Sequence, residues 1–201
     1  EALENSRPVL GDDMSMRRYT NYPMAALWSF NPKDGAPTVS VGDMRGAASV
    51  AHIYGQNIAA AESFTSIFSP WSFAPADLKR VVDFELVNGI NRPVIHSYVH
   101  QPVDDKVPGL SLAVFGQYFN RNETWASMAK PWISYIARSS YMLQQGQNQA
   151  DVAYFYGEEK PLTALYKTKL LPDVPIHYAY DFVSKDALLN QLHVDHGDLV
   201  A

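Results

Sequence analysis

A four-residue apolar run, Ile58-Ala59-Ala60-Ala61, restricts the fold more than any other stretch, because polar residues close it on both sides. Gln56 and Asn57 precede it, and Glu62-Ser63-Phe64-Thr65 follow it. Runs of this length with such punctuation suit a strand buried on both faces of a parallel sheet. In (β/α)8 barrels the residue at the carboxyl end of such a strand points into the mouth where chemistry takes place. Glu62 is therefore the first candidate catalytic residue. The plainer alternative is a carboxylate that ends a core strand and meets solvent.

Composition narrows the partners. The 201 residues are 47% apolar and 18% charged, values that fit neither a disordered chain nor a membrane protein. No apolar run approaches the roughly 20 residues of a spanning helix. The net charge is −5 and there is no run rich in Lys or Arg, which argues against a nucleic acid or an anionic membrane as partner. The absence of cysteine excludes disulfides and thiolate metal sites, and fits a cytosol or a periplasm equally well. Four Trp, twelve Tyr and nine Phe, several in polar surroundings, suit stacking on an amphipathic ligand such as a sugar. For most of them a place in the core is the simpler reading. Glu1-Ala2-Leu3-Glu4 has no initiator Met and no signal-peptide pattern, so the chain is expected to be an interior piece of a longer polypeptide.

Residues 1–22, rich in charge, Pro and Gly, read as a long loop in which Asp12 and Asp13 are solvated or meet a cation or a sugar hydroxyl. Pro23 to Trp28 is a short strand. Met44, Ala47, Ala48 and Ala51, with Tyr54, lie on one side of a helix over Val41–Tyr54, which Gly55 stops; His52 within it reads as structural. After Glu62, Ser66 to Phe73 forms an aromatic loop whose Trp71 is a candidate sugar platform. Pro75 opens the next helix and Gly89 closes it, with Leu78, Val81, Val82 and Leu86 inward. Glu85 belongs to this helix and is set aside as a catalytic candidate.

A second informative stretch runs from Gly89 to Pro102. Asn91-Arg92-Pro93 leads into a brief buried strand, Pro93 to Ile95, followed by the polar cluster His96, Ser97, Tyr98, His100 and Gln101. His96 and His100 are four apart, a zinc spacing only if both lie on one helix face. Here they follow a strand in a Pro-bounded loop, so hydrogen bonding to sugar hydroxyls, or orientation of a carboxylate, is favoured over a metal. A loop then covers residues 103–122. Helical spacing runs from Glu123 to Gln145 through Trp125, Met128, Trp132, Ile133 and Ile136, and Pro131 must kink or restart it. The Trp stripe is assigned to the core.

The composition of Ala150–Glu159 reads as a fresh strand, with Pro161 and a short helix behind it. A further strand, Ile176 to Tyr180, ends in Asp181, and Ser184 caps a helix. Residues 149–201 therefore read as the beginning of a following α/β domain, after a unit covering residues 1–148. Two strands cannot bury a core of their own, which again suggests a piece of something larger. The order of elements fits the closing part of a (β/α)8 barrel, with Glu62 beside the cluster from His96 to Gln101. A carboxylate among hydrogen-bond donors near an aromatic loop is what hydrolysis of a glycosidic bond requires, although the usual mechanism needs a second carboxylate. Only Glu62 stands out.

Several separated motifs are similar to those of glycoside hydrolase family 106, the α-L-rhamnosidases. They are Ala60-Ala61-Glu62-Ser63-Phe64-Thr65, Gly89-Ile90-Asn91-Arg92-Pro93-Val94-Ile95-His96, His100-Gln101-Pro102 and Gly116-Gln117-Tyr118-Phe119-Asn120-Arg121. Leu143-Gln144-Gln145-Gly146 and Ala150 to Glu158 continue the resemblance over essentially the whole chain. It implies an inverting hydrolase, periplasmic or secreted, that removes terminal rhamnose from plant glycans or glycosides with the help of calcium. Glu62 then matches the general base. The general acid, and some calcium ligands, are implied to lie upstream of Glu1 in the remainder of the parent polypeptide. Asn91, Arg92, His96, His100, Gln101 and Trp71 would bind the sugar or orient Glu62. The rival reading is a non-catalytic carbohydrate-binding or scaffold module, which keeps the aromatic loop and needs no acid partner. A glycosidase for another sugar is the second enzymatic alternative.

Overall fold

The apolar run does form a parallel strand, shifted two residues along so that the carboxylate lies within it. A computed structural model describes residues 11–31, 33–166, 174–175 and 177–201, and shows strand β2 at Ala60–Ser63. The shift has a local cause. Asn91 Oδ1 accepts from the Ala59 N–H at 3.0 Å, and the Ala59 carbonyl accepts from Asn91 and Arg92. Ala59 is thus held by the loop before the next strand.

β1 (Met24–Leu27), β2 and β3 (Arg92–Ile95) make a parallel sheet in that order. Ala26, Glu62 and Val94 share one level of the register, and Leu27, Ser63 and Ile95 the next. The two crossovers are helices α2 (Thr38–Ile53) and α3 (Pro75–Val87). Pro75 opens α3, while Gly55 and Gly89 take positive φ after their helices, where a side chain would be strained. One core lies between the sheet and these helices: Leu27, Met44, Ala47, Ala48, Ala51, Ala61, Leu78, Val81 and Val82, closed by Trp132 and Ile136.

Helix α2 has a second buried side that helical spacing of its large residues did not disclose. Val50 and Ile53 pack with Leu162, Tyr166, Phe182 and Val183. Gly42 and Gly46 permit that approach, since a Cβ on Gly42 would stand 2.8 Å from the Tyr166 ring and one on Gly46 3.0 Å from Leu162. The Phe182 N–H donates to Ser49 Oγ at 2.9 Å. Strands β4 (Val152–Phe155) and β5 (Tyr180–Val183) pair in parallel in a sheet of their own. This two-stranded sheet is covered by α2 rather than left bare.

Several boundaries differ from the sequence reading. Helix α1 (Asp13–Arg17) stands where a continuous loop was expected; residues 1–10 lie outside the described residues. Asp12 is its N-cap, accepting from the Ser15 N–H at 2.8 Å, and Asp13 is fully buried. Arg17, also fully buried, pairs with Asp43 of α2 and approaches Asp13 at 3.7 Å. Asp43 Oδ2 in turn accepts from the Ala26 N–H of β1 at 2.9 Å. Burial raises both carboxyls above their ordinary range and Arg17 opposes this, so the triad ties α1, α2 and β1 together only while the charges stay matched.

Pro131 does not kink a long helix. It sits in the first turn of α4 (Lys130–Leu143), where its missing N–H costs nothing, and a 3₁₀ turn (Ala126–Met128) precedes it. The last parallel strand is displaced from 176–180 to Tyr180–Val183, which puts Asp181 inside β5, where His52 Nδ1 meets it at 2.8 Å; Ile176 lies outside the described residues. A short helix α5 (Leu162–Leu165) follows Pro161, and α6 (Lys185–Asn190) is capped by Ser184. A hairpin of β6 (His193–Asp195) and β7 (Asp198–Val200) turns at His196-Gly197, both at positive φ.

Candidate active site

The three parallel strands bring Trp28, Glu62 and His96 to one end of the sheet, because each lies at or just past the carboxyl end of its strand. Glu62 is half-buried. Trp28 donates its indole N–H to Glu62 Oε1 at 3.2 Å, and Thr65 Oγ1 donates to the same oxygen. Thr65 Oγ1 also lies 3.0 Å from His96 Nδ1. A hydroxyl carries one proton. Since that proton goes to Glu62, the Thr65 oxygen accepts from His96, and the imidazole proton must stand on Nδ1. The chain runs from His96 through Thr65 to Glu62.

Geometry around Glu62 leaves the two carboxylate oxygens unlike one another. Oε1 is held by two donors, whereas Oε2 receives no hydrogen bond among the described residues. The turn beyond is tightly built. Phe64, fully buried, has φ of 72°, a conformation that costs a non-glycine residue about 1–3 kcal/mol and persists only where its surroundings enforce it. Those surroundings are visible. Phe64 packs on Trp132 at 5.3 Å and Phe119 at 6.0 Å, its carbonyl accepts from Ser29 Oγ, and the Thr65 carbonyl accepts from the Ser29 N–H at 2.8 Å.

The loops after β2 and β3 are laced together above this end. Phe68 N–H donates to the Val114 carbonyl, Gly116 N–H to that of Ser66 and Tyr118 N–H to that of Pro70. This lacing brings Phe115 edge-on to Trp28, with centroids 6.0 Å apart. The aromatic group beside Glu62 is therefore Trp28 with Phe115. Sequence reading assigned Trp28 to a strand end and Thr65 to a motif without a role; their position at a strand terminus was the available signal.

The remaining candidates divide. His96 joins Glu62 through Thr65. His100 is exposed in the loop and stands outside that network. Gln101 is a loop clamp, donating to the carbonyls of Val99 and Leu110 and accepting from the Leu110 N–H. Trp71 stacks edge-on with Tyr118 at 4.9 Å and lines a pocket of about 430 Å3 with Val107, Pro108 and Glu123, on the rim of the loops. Asn91 and Arg92 are at the other end of the sheet. Asn91 binds Ala59 and Asn57, and Arg92 lies over the Tyr22 ring at 5.7 Å. Residues that open a strand are a strand length, about 10 Å, from those that close it, so Asn91 and Arg92 do not join the group around Glu62.

A larger cleft, about 1580 Å3, lies at that opposite end, lined by Gln56, Asn57, Asn91, Gln144 and Asp181 among others. Glu62 is not among its walls, and the chemistry follows the carboxylate rather than the volume. No group of three or more His, Asp or Glu that could hold a metal ion occurs among the described residues.

Known proteins similar to this chain cover all or most of it. A family model described as alpha-L-rhamnosidase, glycoside hydrolase family 106, matches residues 1–201. A solved rhamnosidase structure from Novosphingobium sp. PP1Y is 62% identical with a TM-score of 0.96. It is matched over all of this chain, which spans 19% of its length. A protein of Formosa agariphila provisionally named a beta-glucuronidase is 44% identical over 153 residues, 76% of this chain and 13% of that protein.

Proposed function

The chain belongs to glycoside hydrolase family 106, the alpha-L-rhamnosidases, and on that premise we propose that it is the stretch of a longer inverting hydrolase that carries the general base, Glu62. One observation carries the reading. Glu62 Oε1 is anchored by Trp28 and Thr65, so that Oε2 is the atom left to take a proton. A water seated against Oε2 would attack the anomeric carbon as its proton passes to the carboxylate. The acid that protonates the leaving oxygen would stand about 6.5–9.5 Å across the site, leaving room for that water. That acid is proposed to come from the part of the parent polypeptide upstream of Glu1.

The fold supports this arrangement. Residues 1–148 are read as the closing part of a (β/α)8 barrel, in which β1 and β3, the two edges of the parallel sheet, are continued by strands of the same polypeptide. Residues 149–201 are read as the beginning of a following α/β domain. Rhamnose at the end of a plant glycan or glycoside is the proposed substrate, in a periplasmic or secreted setting, with calcium as the proposed cofactor. The indole of Trp28 and the hydroxyl of Thr65 are both committed to Glu62 Oε1, which favours the charged carboxylate that a general base requires.

Replacing Glu62 by Gln in the full-length enzyme should lower turnover of an aryl rhamnoside by about 10²–10⁴-fold with the fold intact. Activity within about tenfold of wild type would identify the wrong carboxylate. The Formosa relative's name favours one other sugar, a glucuronide. Parallel assays on aryl rhamnoside and aryl glucuronide separate the two. A purely sugar-binding module would turn over neither.

A further inference from the structure

Glu85 takes no part in the chemistry above, yet it is a fully buried carboxyl on α3 facing the back of the strand that holds Glu62. Its Oε2 lies 2.9 Å from Ser63 Oγ, and its Oε1 has no hydrogen-bond partner. Ser63 Oγ is also 3.0 Å from the carbonyl of Ala61. The Ser63 hydroxyl has a single proton for two acceptors. An ionised Glu85 would compete with Ala61 for it and would leave a charge in a core lined by Leu78, Val81 and Val82, at heavy cost. A proton on Oε2 resolves both difficulties: Glu85 donates to Ser63, and Ser63 donates to the Ala61 carbonyl.

The charged groups on the surrounding elements are engaged elsewhere. On α3 itself, Asp83 pairs with Lys79 and accepts from Tyr135. Arg45 of α2 binds the Asn88 side chain and the Val87 carbonyl, Arg138 of α4 is exposed, and Glu62 of β2 is bound to Trp28 and Thr65. Burial holds the Glu85 carboxyl well above the usual carboxylate range, with the Ser63 bond as the opposing influence.

We propose that Glu85 works as an un-ionised hydrogen-bond donor, a positioning residue that fixes β2 directly behind Glu62, and that hydrolysis slows once that donor is lost. The role rests on the assignment of Glu62 as base. Its pH sense follows from linkage. A carboxyl raised in the folded state contributes stability that is complete below its ordinary value of 4.5 and is lost as pH rises through the folded-state value. Loss of the proton would turn the Ser63 hydroxyl toward the new carboxylate and away from the Ala61 carbonyl, one residue from Glu62.

The test uses the full-length enzyme and the variants Glu85→Gln, Glu85→Met and Ser63→Ala. Infrared difference spectra at neutral pH should show a protonated-carboxyl C=O stretch in wild type that Glu85→Gln lacks. Glu85→Gln keeps a donor, so its kcat should stay within about threefold of wild type and its activity and Tm should fall less on the alkaline side. Glu85→Met should lose kcat on the order of tenfold with KM little changed, and Ser63→Ala should follow it. A missing band, or alkaline limbs that superimpose for wild type and Glu85→Gln, would overturn the proposal. An active Glu62→Gln enzyme would remove the base assignment, and with it the positioning role, while the band would still decide whether Glu85 carries a proton.

Discussion

Thr65 has one proton and two polar neighbours, and the way it resolves that arithmetic fixes both of them. Its donation to Glu62 Oε1 leaves its own oxygen to receive His96 Nδ1–H. Thr65→Val keeps the shape and removes both bonds. A hydrogen bond to a charged group is worth about 1.5–3 kcal/mol, so kcat should fall by about 10–100-fold. Thr65→Ser, which retains the hydroxyl, should stay within about threefold. Steady-state kinetics on the two variants checks this, and equal losses would show that the hydroxyl is not what matters. At this scale the position of Glu62 was legible, because a polar residue closing an apolar run marks the carboxyl end of a strand. His96 was legible for the same positional reason. Asn91 and Arg92 were misplaced because residues adjacent in sequence were treated as adjacent in space across a strand that separates them. The setting of Trp71 was not legible for another reason: the lacing of two loops turns it toward Tyr118, and no local pattern encodes such long-range hydrogen bonds.

Helix α2 shows what element-scale reading recovers and what it misses. Its Met and Ala stripe was plain in the spacing, since those residues face the parallel sheet. Its other buried side was missed: Val50 and Ile53 lie on it, but the close approach is made over Gly42, Gly46 and Ser49, small residues that carry no hydropathic signal. In an exposed helix Gly→Ala gains about 1 kcal/mol. Gly42→Ala should reverse that sign, since its Cβ would stand 2.8 Å from the Tyr166 ring, a clash of about 1–3 kcal/mol. Urea denaturation should show a lower midpoint, and an unchanged or higher one would mean that Tyr166 can yield. The capped helices α3 and α6 were read correctly from Pro75 and Ser184, whose mechanisms are local. The β6–β7 hairpin was missed although Gly197 marked its turn.

For the molecule as a whole, the parallel order β1-β2-β3 with helical crossovers was foreseeable from the alternation of apolar runs and helical spacings. How the second sheet is covered was not foreseeable, because it depends on contacts across more than a hundred residues of sequence, such as Phe182 with Ser49. A measurement belongs at this scale too. The 201-residue chain by itself should hydrolyse no aryl rhamnoside, since the acid partner is proposed to come from elsewhere in the parent polypeptide. Turnover above background, abolished by Glu62→Gln, would show that both carboxylates lie within these residues.

The placement of α2 between two hydrophobic cores has a consequence for how such proteins can change over generations. A substitution on one side of that helix shifts its axis against the other, so repacking near Phe182 is transmitted to the strands that present Glu62. The two halves of the chain are not free to drift separately. Variation at Gly42 and Tyr166 should therefore be correlated among descendants, and chimeras joined between the two sheets should tolerate foreign partners only when α2 travels with both.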